Sequence, residues 1–194
     1  PGSGATWTDL STRGNTMTLN NNSYTSTGGG AVTFNGSTSY LFRSTFNGMN
    51  SSNWSLIYWF YVSSAGGCVA QLNRDGVNAN LEFMLSMNSF WDWQNSYGFN
   101  TTPLTSVTNA GWYQIGFVKN GTTGYWYLNG AANGTATGAQ NVQYGSASFC
   151  IGKDYRDNTN FLNGYLGLIH LYNYSLATSD VATNFTNYRG RYGI

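Results

Sequence analysis

Few side chains in this sequence can move a proton near neutral pH. There is one Glu, Glu82, and one His, His170. Six Asp stand apart from one another: Asp9, Asp75, Asp92, Asp154, Asp157 and Asp180. Glycoside hydrolysis needs two carboxylates around one bond. One protonates the leaving group while the other attacks or activates water. Glu82 lies in LEFMLSM, an alternating run that predicts a strand with Leu81, Phe83, Leu85 and Met87 on one face. Glu82 then turns to solvent, and its neighbours supply no second acid. A Ser or Cys nucleophile wants a His base. His170 sits inside the apolar run LIHLYNY, and no G-x-S-x-G elbow is present. The residues therefore predict no catalytic site and a protein that is not an enzyme.

Binding chemistry has a better candidate. Phe90 to Tyr97 reads FWDWQNSY. In a strand, Trp91 and Trp93 share one face while Asp92 and Gln94 share the other. Sugar sites set aromatic faces beside groups that bond hydroxyls. Trp91, Asp92, Trp93, Asn95 and Tyr97 are thus the candidate ligand-binding residues. The alternative is that both Trp belong to the core, as most Trp in a sandwich do. Cys68 and Cys150 lie in apolar, strand-like runs. They read either as two buried thiols or as one disulfide between strands. No CxxC pair occurs, and no His or Cys cluster suggests zinc.

Composition narrows the partners. Hydrophobic residues make up 41% of 194, but charged residues only 8%, against about a quarter in an ordinary domain. Net charge is +1, with the basic residues scattered. No basic stripe is available for phosphates, so nucleic acid is not an expected partner. The longest apolar run, Leu56 to Val62, is too short to span a membrane. The chain begins at Pro1 and carries no secretory signal. It is expected to be one domain, residues 1–194, taken from a longer polypeptide.

The elements that must position these residues are strands. Trp112 to Gly130 holds two aromatic and β-branched runs around Asn120-Gly121-Thr122-Thr123-Gly124, a β-hairpin signal. Tyr113, Ile115 and Phe117 fall on one face, Trp112 and Val118 on the other. Trp54 to Val62 is apolar on both faces, hence a central strand. Shorter strands are predicted at 31–34, 40–42, 68–72, 81–87, 90–94 and 149–151, and a long one at 165–174. Residues 1–30 and 131–146 read as loops. A short helix is predicted from Thr178 as N-cap through about Phe185, with Asp180 at its positive end.

The order of these elements resembles a laminin-G-like, concanavalin A-like jelly roll. TWTDLS (6–11), RGNTMTL (13–19) and AVTFNGSTSYL (31–41) resemble its opening. The hairpin closing on YLNG (127–130) resembles its most recognisable element. FCIGKD (149–154) and FLNGYLGLIHLYNYSL (161–176) resemble its C-terminal part. The implied fold is all-β: a two-sheet antiparallel jelly-roll sandwich with one short C-terminal helix. Glycosidases of similar fold carry a Glu-x-Asp-x-x-Glu run, which is absent here. The resemblance also implies a calcium ion at the rim of the sandwich. Asp154 and Asp157, with Asn158 and Asn160, offer the oxygen donors a hard cation takes. The alternative is a polar turn partly neutralised by Arg156. No cofactor is firmly implied; Ca2+ is the one the donors suit. Relatives of this style are parts of viral particles and of large secreted proteins. The implied function is a non-catalytic binding module, extracellular or on a virion surface, that recognises glycans or another surface. The alternative is a structural or decoration domain that joins a larger assembly through protein contacts.

Overall fold

Trp54 to Val62 becomes the middle of the molecule because nothing in it can face water. The structure, a computed structural model, describes residues 3–45, 52–64, 68–74, 81–86, 89–92, 100–101, 107, 109–137, 147–154 and 158–194. The strands at 68–74, 81–86, 89–92 and 100–101 are described by their backbone. Fifteen strands and one helix follow in order among these residues. They are β1 (Thr6–Trp7), β2 (Met17–Asn20), β3 (Tyr24–Thr25), β4 (Ala31–Asn35), β5 (Tyr40–Arg43), β6 (Asn53–Val62), β7 (Cys68–Arg74), β8 (Leu81–Ser86), β9 (Ser89–Asp92), β10 (Asn100–Thr101), β11 (Gly111–Asn120), β12 (Thr123–Leu128), β13 (Ala131–Thr137), β14 (Ala147–Ile151), β15 (Asn163–Tyr172) and α1 (Thr178–Tyr192).

All pairings are antiparallel, in two sheets. One runs β1-β2-β5-β14-β7-β8-β9 and the other β10-β13-β12-β11-β6-β15-β4-β3. The expected jelly-roll sandwich is present. β6 lies between β11 and β15. Its Trp54, Leu56, Tyr58, Phe60 and Val62 face the other sheet and pack with Phe117, Trp126, Leu41 and Phe149. Its Ile57 and Trp59 face the other way, against α1. Both faces of the eight-stranded sheet are thus covered, which is why its central strands read as unbroken apolar runs.

The hairpin closes more tightly than its Asn/Gly signal suggests. Asn120 pairs with Thr123, leaving only Gly121 and Thr122 as the turn. Gly121 has φ 60°, as such a turn demands.

Three expectations are corrected. Residues 1–30 contain β1, β2 and β3, and 131–146 begins with β13. AANGTAT has little strand propensity of its own. Its pairing with β12 and β10 supplies the order. The helix runs to Tyr192 rather than Phe185 because Val181, Phe185, Tyr188 and Tyr192 form an apolar stripe over Trp59. Trp59 stacks on Phe185 at 5.7 Å and on Tyr192 at 4.7 Å. Thr178 is not the N-cap; Ala177 is, and its N–H donates to Asp180 Oδ2 at 3.0 Å. Thr178 is the first helical residue and bonds the Tyr127 hydroxyl at 2.9 Å. Gly193, at φ 73°, ends the helix in a left-handed cap.

One irregularity decides which side chains β15 turns to each layer. The strand carries a bulge between Leu166 and Leu168. Leu166 faces the core between the sheets, whereas after the bulge the odd residues Ile169 and Leu171 do. The extra residue, Gly167, reverses the alternation and hands Leu168 and Tyr172 to the helix side.

Candidate functional site: a groove beside the open edge of β15

β4 pairs only with Asn163 to Leu166 of β15, whereas β6 pairs along β15 to Tyr172. From Leu168 to Tyr172, β15 therefore has no strand partner on the β4 side among the described residues. In an antiparallel strand, alternate residues turn both N–H and C=O to the same side. This stretch presents such groups to a groove of about 570 Å³. Met17 and Phe149, both core residues, line it, as do Trp7, His170 and Tyr172. The opposite wall is the loop from Thr8 to Asn15.

That loop is held by Asp9. Its Oδ1 accepts the Ser11 N–H at 2.8 Å. Its Oδ2 accepts the Ser11 hydroxyl at 2.9 Å and the Asn15 N–H at 2.7 Å. Burial raises the Asp9 pKa, but these hydrogen bonds, with the Arg43 charge, outweigh it and hold the carboxyl below its usual range. Tyr24 ties this side of the sandwich shut by donating from its hydroxyl to the Thr6 carbonyl at 2.6 Å.

Two of the three large apolar side chains most exposed among the described residues lie on this groove. Leu10 is 94% exposed and Tyr174 is 53% exposed. Tyr174 is presented by a fixed backbone. Its carbonyl accepts from the Ser55 hydroxyl at 2.9 Å, and the Ser55 hydroxyl oxygen in turn accepts the Leu176 N–H at 2.8 Å. Its ring packs edge-on against Tyr172, centroids 5.6 Å apart.

His170 lines the groove and is held from behind by α1. Asn184 Oδ1 accepts from Trp59 Nε1 at 3.3 Å and from Gln114 Nε2 at 2.9 Å. An indole N–H can only donate, so the Asn184 amide orientation is fixed. Its Nδ2 must donate to His170 Nδ1, 2.9 Å away. That nitrogen is therefore bare, and burial holds the ring's pKa below its ordinary value.

Trp91 and Asp92 are on β9, opposite Met84 and Phe83. Trp93, Asn95 and Tyr97 fall outside the described residues. β9 ends its sheet three places beyond β14, whose Phe149 lines the groove. Asp154 is only 2% exposed and its backbone bridges to Thr159. Lys153 beside it rests on the Tyr40 ring at 3.6 Å and donates to Asn158 Oδ1 at 2.8 Å. Asp157 falls outside the described residues. Among the described residues, no three His, Cys, Asp or Glu come together to hold a metal ion. Glu82 lies on β8 opposite Gln71. Cys150 is a buried free thiol, its pKa pushed up to about 12 by burial, so the disulfide alternative does not hold. Among the described residues, no helix is long and apolar enough to cross a membrane.

The groove was missed from sequence. Asp9-x-Ser11 within a polar run does signal a side-chain-closed loop. Nothing local says that this loop faces the bare edge of a strand some 160 residues later.

Two antiparallel sheets, a helix across one of them and a groove at a sheet edge define a lectin-type sandwich. The chain belongs to the concanavalin A-like lectin/glucanases superfamily: its laminin-G family model matches residues 26–182. A comparison with curated proteins gives no match. Among solved structures it is similar to Trypanosoma rangeli sialidase in complex with the inhibitor DANA, at 14% identity and TM-score 0.70, over 95% of this chain and 31% of that one. It is also similar to a botulinum neurotoxin type C structure described by its interaction with two ganglioside molecules. That likeness has 12% identity and TM-score 0.74, over 93% of this chain and 48% of the other. A third is domain 4 of AbnA, an extracellular arabinanase of Geobacillus stearothermophilus, in complex with arabinotriose. There identity is 17% and the TM-score 0.59, over 84% of this chain and 80% of that one. The chain thus spans about a third of the sialidase and half of the neurotoxin chain.

Proposed function

We propose that this domain is a non-catalytic module that binds glycans in the β15 groove, on the outside of a cell, a virion or a secreted assembly. The observation that carries the proposal is the pairing of an exposed Tyr174 with a bare strand edge over an apolar floor. Stacking surface beside fixed donors and acceptors is what a sugar ring needs. Support comes from the fold, since one neighbour of this shape is described by its interaction with two ganglioside molecules and another is in complex with arabinotriose. The described acids give no catalytic pair: Asp9 holds a loop and Asp180 caps a helix. A glycan array probed with the intact domain, Tyr174→Ala, Trp91→Ala and Trp93→Ala tests this. Loss of binding in Tyr174→Ala alone supports the groove. Loss only in the Trp variants would move the site to the β9 edge, and silence of the intact domain on every spot would refute glycan binding. Repeating the array in chelator asks whether calcium at Asp154 and Asp157 takes part.

The second reading is a domain that docks on proteins. Its support is a botulinum neurotoxin DC binding domain of the same fold, seen in complex with rat synaptotagmin II. Regular copies of the chain packed against neighbours on a particle would favour it.

A further inference from the structure

The positive charges of this chain are few, and most of those whose side chains are described are committed internally. Arg43 donates to the carbonyls of Thr45 at 2.7 Å and Thr16 at 3.0 Å. Lys119 donates to the Ser52 carbonyl at 3.1 Å and to that of Gly121. Lys153 is held by Asn158 and the Tyr40 ring. Arg189 donates to the Ile194 carbonyl at 2.9 Å. Arg191 donates to the carbonyls of Gly28, Gly29 and Gly30. Among the cations whose side chains are described, Arg13 is the exception. Its backbone N–H bonds the Ser11 hydroxyl at 3.1 Å, but its guanidinium has no partner among the described residues. Arg13 is also a residue that lines the β15 groove.

The groove's other charged group is turned into its own loop. The Asp9 carboxylate also lines the groove, but three hydrogen bonds within its own loop occupy it and Arg43 faces it. His170, its Nδ1 bare, adds no charge at neutral pH. The groove is thus lined by the Arg13 guanidinium on its loop wall and by the Tyr172–Tyr174 pair and the bare edge of β15 on the other.

We infer that the groove selects anionic saccharides, a carboxylate or sulfate on the sugar pairing with the Arg13 guanidinium while Tyr174 stacks on the ring. The fork of a guanidinium fits two oxygens of such a group at once, which an ammonium cannot do. This rests on the proposal that the groove binds glycans and adds the class of glycan.

The test uses an array printed with each neutral chain beside its sialylated, uronic-acid and sulfated counterparts. The wild-type domain, Arg13→Gln and Arg13→Lys are compared. Arg13 is exposed and its guanidinium makes no hydrogen bond among the described residues, so neither variant removes a bond that holds the fold. The expected result is a preference of roughly tenfold for acidic over neutral partners. Arg13→Gln removes the preference, Arg13→Lys keeps part of it, and added salt erodes it. Which acidic spots respond separates carboxylate from sulfate. Equal binding of acidic and neutral partners, unchanged in Arg13→Gln, overturns this inference and leaves glycan binding standing. No binding to any spot overturns both.

Discussion

Gly167 is the residue that lets α1 lie on β15, and replacing it with Ala tests how the groove is built. A Cβ at this position would stand 2.3 Å from the Tyr192 hydroxyl oxygen, 2.6 Å from Cε1 and 2.7 Å from Cζ. Ordinary contact begins at 3.4 Å, so the ring must retreat by about 1 Å. It has nowhere to go. Tyr192 is 5% exposed, stacked at 4.7 Å on Trp59 and packed at 4.4 Å against Trp112. Either the helix end lifts or the bulge shifts, and both disturb a filled core. Overpacking of this kind costs about 2 kcal/mol. For a domain of this size that lowers Tm by roughly 4–8 °C. Urea titration of Gly167→Ala, Tyr192→Leu and the double variant measures it. If the collision is the cause, Gly167→Ala costs much less once the Tyr192 ring is gone, a coupling that the double-mutant cycle reports. A loss under about 0.5 kcal/mol, or simple additivity, would refute the reasoning.

Two other perturbations act on the same packing. Because folding holds the His170 pKa down, His170 is neutral in both folded and unfolded chains above pH 6.5, its unfolded value. Below that pH the unfolded chain takes a proton that the folded one resists, so stability falls as the pH drops from near 6.5. Burial raises the pKa of Tyr172, whose ring touches His170, so that group does not ionise there. Urea midpoints across this range decline for the wild type and flatten for His170→Leu; identical profiles would discount the Asn184 contact. Arg191→Ala removes the fork that holds three consecutive glycine carbonyls and costs about 1 kcal/mol. Arg191→Lys does not restore it, because an ammonium cannot reach all three in the fork's geometry; full rescue in a thermal melt would count against the clamp.

The legible parts of the fold are those where one residue pattern has one outcome. Trp54 to Val62 and Trp112 to Leu128 are apolar on both faces and end in Asn/Gly turns, so they could only be central strands. The illegible parts depend on a partner. β13 is a strand because β12 lies beside it, and α1 runs past Phe185 because Trp59 waits beneath Tyr188 and Tyr192. Thr178 has the right chemistry for an N-cap, yet Tyr127 takes its hydroxyl and Asp180 caps the helix instead.

The candidate site divides the same way. Composition and the scattered acids argue against hydrolysis before any fold is known. The Asp9 loop and the aromatic tail of β15 are each visible as local patterns. That they meet is a tertiary fact. It needs β4 to stop at Leu166, Gly167 to reverse the alternation of β15, and the first loop to fold against a strand far along the chain. Local residue types set which strands form and which groups can bond. Only the packing of two sheets and a helix leaves, among the described residues, the edge of β15 bare and sets the Arg13 loop across from it.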